Sequence, residues 1–216
     1  MTGIRATMPE DARFAGATVR AAGKKKLWVL PGGGDPATKI AFDDVPGNTT
    51  ASDLRLTVQG SSSQSATTQP AILSGPLPET VSLPANSALK VKIGSAPEKT
   101  LTLATAFSGN LSALATALQD LLRTEQENAF KQAAVSVAGN RLLVLASPGT
   151  QSAVEFTKAS AQDTTPEKLG LDAGSVVQRT ATISKPLTVP LALPKPPRVM
   201  VTIGEKQKTL LLGFDN

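Results

Sequence analysis

The chain has 216 residues, 40% hydrophobic and 18% charged, with a formal charge of +5; this is a globular composition, long enough for one large or two small domains. It contains no Cys and no His, which excludes disulfides, thiolate metal sites and Cys–His or Ser–His nucleophile pairs and removes the commonest general base at neutral pH. Only 3% of residues are aromatic, while 16 Pro and 17 Gly punctuate the chain, so Leu, Val, Ile and Ala must fill the cores and short strands and loops should outnumber long helices.

The N-terminal stretch MTGIRATMPEDARF lacks the apolar core of a secretory signal, and no apolar run approaches the roughly 20 residues of a membrane helix. The sequence therefore predicts cytoplasmic synthesis without a signal peptide and no membrane span. The first 39 residues carry seven basic side chains against three acidic ones, a net +4. Arg13, Arg20, Lys24, Lys25 and Lys26 form a candidate basic contact segment. No aromatics interleave for base stacking and no nucleic-acid motif accompanies it, so it reads as a solvated or subunit-facing arm rather than a nucleic-acid site.

Leu27–Leu30 is a short strand ended by PGGGDP. Those glycines have neither phosphate-loop nor dinucleotide-loop spacing and no helix pattern follows, so they make a turn. Asp43 and Asp44 precede a second turn and read as turn and cap residues rather than a metal or acid–base pair. Leu54, Leu56 and Val58 alternate with polar residues, predicting a half-buried strand. Residues 60–70, GSSSQSATTQP, mark a linker and a boundary.

From there a compact unit is traced. LKVKIG and KTLTL form a hairpin around a turn at Ser95–Glu98. Leu111, Leu114, Leu118, Leu121 and Leu122 recur at helical spacing behind Ser108 and Asn110, predicting the main amphipathic helix at about 110–127 with its leucine face on a sheet. AVSVAGNRLLVLAS gives a second hairpin, with Gly139 or Asn140 at its turn, and AVEFTKAS a fifth strand. TTPEKLGL gives a capped turn with Thr165 as cap and Pro166 at the first helical position. The order is ββαβββ, so the fold class is α+β and β-rich: residues 1–70 a basic strand-and-loop segment, 71–180 the module, and 181–216 a partial second copy made of strands.

The second copy appears when the chain is shifted against itself by 110 residues. Ala71, Ser74, Pro76, Leu77, Leu83, Pro84, Val91, Ile93 and Gly94 meet identical residues at 181, 184, 186, 187, 193, 194, 201, 203 and 204. After one deletion Lys99-Thr100-Leu101 meets Lys208-Thr209-Leu210. Residues 185–212 should therefore form a hairpin-like segment equivalent to 75–103. A lone amphipathic hairpin is marginal in water, so Val199, Val201, Ile203, Leu210 and Leu212 are the candidate assembly or packing surface. The N-terminal part of the chain, a neighbouring subunit or sequence beyond Asn216 is expected to cover them.

The strand ending at Ile93-Gly94, the Leu/Ala helix after Asn110, the VAGNRLLVLAS hairpin with SPGTQSAVEF behind it, and KLGL closing at Leu171 resemble the small β-hairpin, helix, β-hairpin module inserted in bacteriophage tail-sheath proteins. They are also similar to a motif of flagellins and flagellar hook-associated proteins. The resemblance covers about residues 85–172 and part of 195–212. It implies a structural subunit, or part of one, of a phage tail or related contractile or filamentous appendage, located in the virion tail or an extracellular appendage. Its partners would be copies of itself and other tail proteins.

The residues agree with a non-catalytic role. Glu98, Glu125, Glu127, Glu155 and Glu167 fall on turns or helix ends beside lysines without paired placement, and no enzyme activity, cofactor or metal is expected. The alternative is an adhesin or receptor-binding module. The scarcity of the aromatics that anchor such contacts and the strand edge left by an interrupted repeat favour assembly.

Overall fold

The structure, a computed structural model, describes residues 14, 17–22, 26–32, 40–57, 66–147, 153–187 and 190–212. Its strands are β1 (Thr18–Ala22), β2 (Lys26–Leu30), β3 (Ile40–Asp44), β4 (Thr67–Leu73), β5 (Thr80–Leu83), β6 (Ser87–Ile93), β7 (Lys99–Leu103), β8 (Phe107–Asn110), β9 (Ala134–Ala138), β10 (Arg141–Leu145), β11 (Val154–Lys158), β12 (Val177–Ile183), β13 (Arg198–Ile203) and β14 (Lys206–Leu211). The helices are α1 (Thr50–Asp53), α2 (Leu111–Thr124), α3 (Asn128–Lys131) and α4 (Thr165–Lys168). The fold is β-rich α+β. Two compact units divide the chain: a continuous unit, Gln69–Arg179, and a split unit built from both ends, residues 1–68 and 180–216. The three consecutive segments expected from the sequence are thus two bodies, because the first and last segments share one core.

In the continuous unit, β6 alternates buried Leu89, Val91 and Ile93 with lysines, the period-2 pattern of a strand with one wet face. It lies between β7 and β11, antiparallel to both. A second group runs β4-β10-β9, and β5 pairs with β8. Helix α2 begins at Asn110, whose side chain accepts from the Ala113 amide at 2.9 Å, satisfying one of the four open amides of its first turn. It buries Leu111, Leu114, Leu118 and Leu122, with Leu121 packed at the margin. At about 1.5–3 kcal/mol per fully buried leucine, this face is the largest single apolar contribution of any helix. It packs against β5, β7, β8, β9 and β10.

The split unit repeats this architecture with its halves in reverse chain order. β13 lies between β14 and β3 as β6 lies between β7 and β11. Register coincides: Phe42 pairs with Val201 and Ile40 with Ile203, as Phe156 pairs with Val91 and Val154 with Ile93. Hairpin β1-β2 matches β9-β10, with Val19 opposite Val29 and Ala22 opposite Lys26, where Val135 faces Val144 and Ala138 faces Arg141. Ala17 N donates to Phe14 O as Ala133 N donates to Phe130 O. The described residues within 14–56 are therefore equivalent to those within 130–171, at an offset of 114 to 116 (Ile40 to Val154, Phe14 to Phe130). Residues 180–212 are equivalent to 70–103.

The expected strand at Leu54–Val58 is the end of α1 and a turn instead, and Val58 lies outside the described residues. Asn48 Oδ1 accepts from the Thr50 amide and hydroxyl, and Asp44 accepts from the Ser52 amide and hydroxyl. These bonds wind a helical turn whose exit passes through Arg55 at φ 52°, so the alternating leucines are both buried without a strand. The counterpart is α4, where Asp163 Oδ1 takes the Thr165 amide and hydroxyl. The capping oxygen there comes from Asp163 rather than from Thr165. Gly170, at φ 57°, stands where Arg55 does.

Candidate assembly surface

The expected assembly residues are distributed by the split unit's core. Val199, Val201, Ile203 and Leu212 are buried against Phe14, Ile40, Phe42, Leu54 and Leu56, all from the N-terminal half. These four side chains form a core face covered by the N-terminal part of the chain, one of the covers expected from the sequence. Leu210 is partly buried. The next residue, Leu211, points outward at 60% exposure and is the one large apolar side chain so exposed among the described residues.

Leu211 sits on β14, which among the described residues is bonded on one side to β13 and forms the outer edge of the order β14-β13-β3. Its exposed residues, Lys206, Gln207, Thr209 and Leu211, alternate with the half-buried Lys208 and Leu210 beyond the hairpin turn. Lys208 Nζ lies 5.9 Å from the centre of the Phe14 ring. Of the basic segment, Arg20 lies in β1 opposite Trp28 and Lys26 opens β2 opposite Ala22; Arg13, Lys24 and Lys25 lie outside the described residues.

Charged groups pair at the surface. Lys90 bonds Glu98 at 3.0 Å, Lys99 bonds Glu127 and approaches Glu125 at 3.6 Å, and Lys158 bonds Glu167. Hydrogen bonds from Lys90, Lys99 and Lys158 hold Glu98, Glu127 and Glu167 below the ordinary carboxylate range, and the Glu127 bond raises Lys99. Burial, and then the charge of Arg141, lowers Arg179. Acid–base chemistry near neutrality wants the opposite, a carboxyl raised or a lysine lowered in a cleft. Among the described residues no group of three or more Asp or Glu side chains could hold a metal ion.

Two concavities stand out among the described residues. In the continuous unit a polar cleft of about 320 Å³ runs between the loop at Asn86 and the turn at Ser160–Thr165. In the split unit an apolar cavity of about 90 Å³ is lined by Phe14, Val19, Leu27, Val29, Leu210 and Leu212 among others. The cleft is lined by the hydroxyls of Ser87, Ser160, Thr164 and Thr165 with Asp163 and Lys168, and Asp163 Oδ1 is taken up by the Thr165 amide and hydroxyl; the lining of the cavity is apolar throughout. Neither a family model nor a curated protein matches the chain.

Alternation and the 110-residue repeat were sufficient signals for β13 and β14. Leu211 was passed over because it falls on the outward phase of the same strand. Its signal is Leu210-Leu211-Leu212, three leucines in an alternating strand, one of which must face out.

Proposed function

We propose that the chain is a structural, non-catalytic subunit of a phage tail or related bacterial appendage, working through contacts with copies of itself and with other tail proteins. The observation that carries this reading is the β14 edge with Leu211 exposed at its C-terminal end. An edge strand presents unpaired amides and carbonyls as a template for another strand, and an exposed leucine there adds apolar contact. Pairing with a different surface of the next copy would make a heterologous contact, and such contacts propagate into rings or tubes.

Electron microscopy of the purified full chain tests the reading. Tubes, rings or filaments are expected, and Leu211→Lys should abolish them while changing fold stability by no more than about 0.5 kcal/mol. Dispersed monomers under all assembly conditions would overturn it and favour an adhesin or receptor-binding module.

A further inference from the structure

Among the described residues the two units differ at β5, β8 and α2. Every described element of the continuous unit from β9 to α4 has its equivalent in residues 14–56, and β4, β6 and β7 have theirs in 180–212. Among the described residues, β8 and α2 have none in the split unit. The strand β5, which pairs with β8, is matched by residues 190–193, and these are not in a strand.

Burial falls on the elements that α2 would cover. Val135, Leu142, Val81, Leu83 and Leu101 are all buried on the elements that α2 packs against. Their counterparts Val19, Leu27, Leu191, Leu193 and Leu210 are each only partly buried. Away from α2 the units agree: Val154 and Ile40 are 0% and 1% exposed, and Phe156 and Phe42 are both 6%. The apolar cavity of about 90 Å³ is bordered by three of the partly buried residues, Val19, Leu27 and Leu210. One patch of the split unit is therefore under-covered, and the continuous unit displays the shape that fits it.

We infer that the split unit binds, at this patch, an amphipathic α-helix of the α2 pattern supplied by a different protein, with leucines at the spacing of Leu111, Leu114, Leu118 and Leu122. The occupant is a helix rather than a small apolar ligand because the patch extends over β1, β2, β14 and the 190–193 segment. A cavity of that volume drains only part of it, whereas a helix reaches i, i+3, i+7 and i+11 along one face. At the end of the groove Lys208 holds the place of Lys99, which in the continuous unit meets the carboxylates just past α2. The inference stands on the duplicated module and does not depend on what the chain assembles into.

The probe is a synthetic peptide of residues 107–126, titrated into the full-length protein and followed by calorimetry and methyl NMR. Saturable one-to-one binding is expected, with shifts at Val19, Leu27, Leu191, Leu193 and Leu210 and none at the methyls of α2. A Leu118→Asp peptide should bind at least about tenfold more weakly. Leu193→Lys in the protein, at a half-buried position, should weaken the unaltered peptide in the same way. No saturable binding overturns the inference, as do shifts confined to the continuous unit, which would mean that the peptide competes with α2. Binding only after removal of residues 1–10, or only in competition with a concentration-dependent dimer, would also overturn it, assigning the groove to this chain or a second copy. Assembly seen by microscopy without peptide binding sinks this inference alone; peptide binding without assembly sinks only the tail reading.

Discussion

The continuous and split units place the same side chains in the same register and yet achieve different completeness. Ser74 Oγ accepts from the Leu142 amide at 2.9 Å and donates to Gly75 O; Ser184 Oγ accepts from the Leu27 amide at 2.8 Å and donates to Lys185 O. Backbone geometry is thus conserved even where the covering helix is not. The sheets and tight turns of this module are specified locally and by strand pairing. The leucine face of α2 adds a lid over an already formed frame.

The largest test sets Leu142→Ala against Leu27→Ala. Leu142 is fully buried beneath α2, and truncation should cost about 2–5 kcal/mol through lost transfer energy and a residual cavity. Leu27 is partly exposed beside a cavity that already exists, so its truncation should cost about 1 kcal/mol or less. Denaturant titrations read by unit-resolved hydrogen exchange separate the two; equal costs would mean that the groove is as well filled as the core under α2.

Next comes the positive-φ turn shared by Gly170 and Arg55. A Cβ on Gly170 would lie 2.8 Å from Gly75 N and 3.0 Å from its Cα, both backbone atoms that cannot swing away. Strain of about 1–2 kcal/mol for a left-handed non-glycine residue adds to that clash, so Gly170→Ala should cost more than about 2 kcal/mol. At the matching position the chain already tolerates a side chain, and Arg55→Gly should change stability by less than about 1 kcal/mol because relieved strain offsets unfolded-state entropy. A neutral Gly170→Ala would show that the two turns are not equivalent.

Third, Ser74→Ala and Ser184→Ala should each cost about 1–3 kcal/mol, the range for leaving an amide out of water without its acceptor, the Leu142 amide being buried and the Leu27 amide part-buried. Their near equality is the informative outcome. A Ser184 effect under half that of Ser74 would mean that the split unit relaxes around the lost bond.

Much of this frame was legible in the sequence. Alternation marked β6 and β13, a short apolar run marked β2, and the leucine period with Asn110 marked α2. What stayed hidden was the second offset. Shifting the chain by 110 aligns 70–103 with 180–212, but the N-terminal half aligns with 130–171 at an offset of about 115, where Phe14 meets Phe130 and NTTASDLRL meets DTTPEKLGL. Few residues are identical there, because what is kept is a side-chain oxygen at Asn48 or Asp163, a threonine, and two leucines two apart. Those leucines alternate, which is why Leu54 and Leu56 imitate a strand. The same disguise hid the partner of the terminal hairpin, since a strand such as β3, IAFDD, carries too little pattern to announce that it pairs with residues over 150 positions away.

The smallest effect lies where α2 ends, beside Lys99. Glu127 is depressed below the ordinary 4.5 chiefly by the hydrogen bond from Lys99. A carboxyl with a lowered folded-state pKa contributes stability that is complete above the unfolded value and lost as pH falls through the folded one. Lys99 is raised above 10.5 by the same bond, so its contribution is present below that value and disappears as pH rises beyond it. The tie between β7 and the segment after α2 should therefore loosen below about pH 4 and again in strong alkali. Hydrogen exchange at amides 121–131 reads this locally: protection should fall on acidification in the native chain, and Glu127→Gln should start lower and lose that acid limb. Salt should reduce the difference, since both side chains are solvent-accessible and screened. If the native and Glu127→Gln chains lose protection in parallel between pH 5 and about pH 3, the Lys99 pair does not anchor the end of α2. The helix would then be held by its leucine face alone, the same face that the split unit would have to borrow.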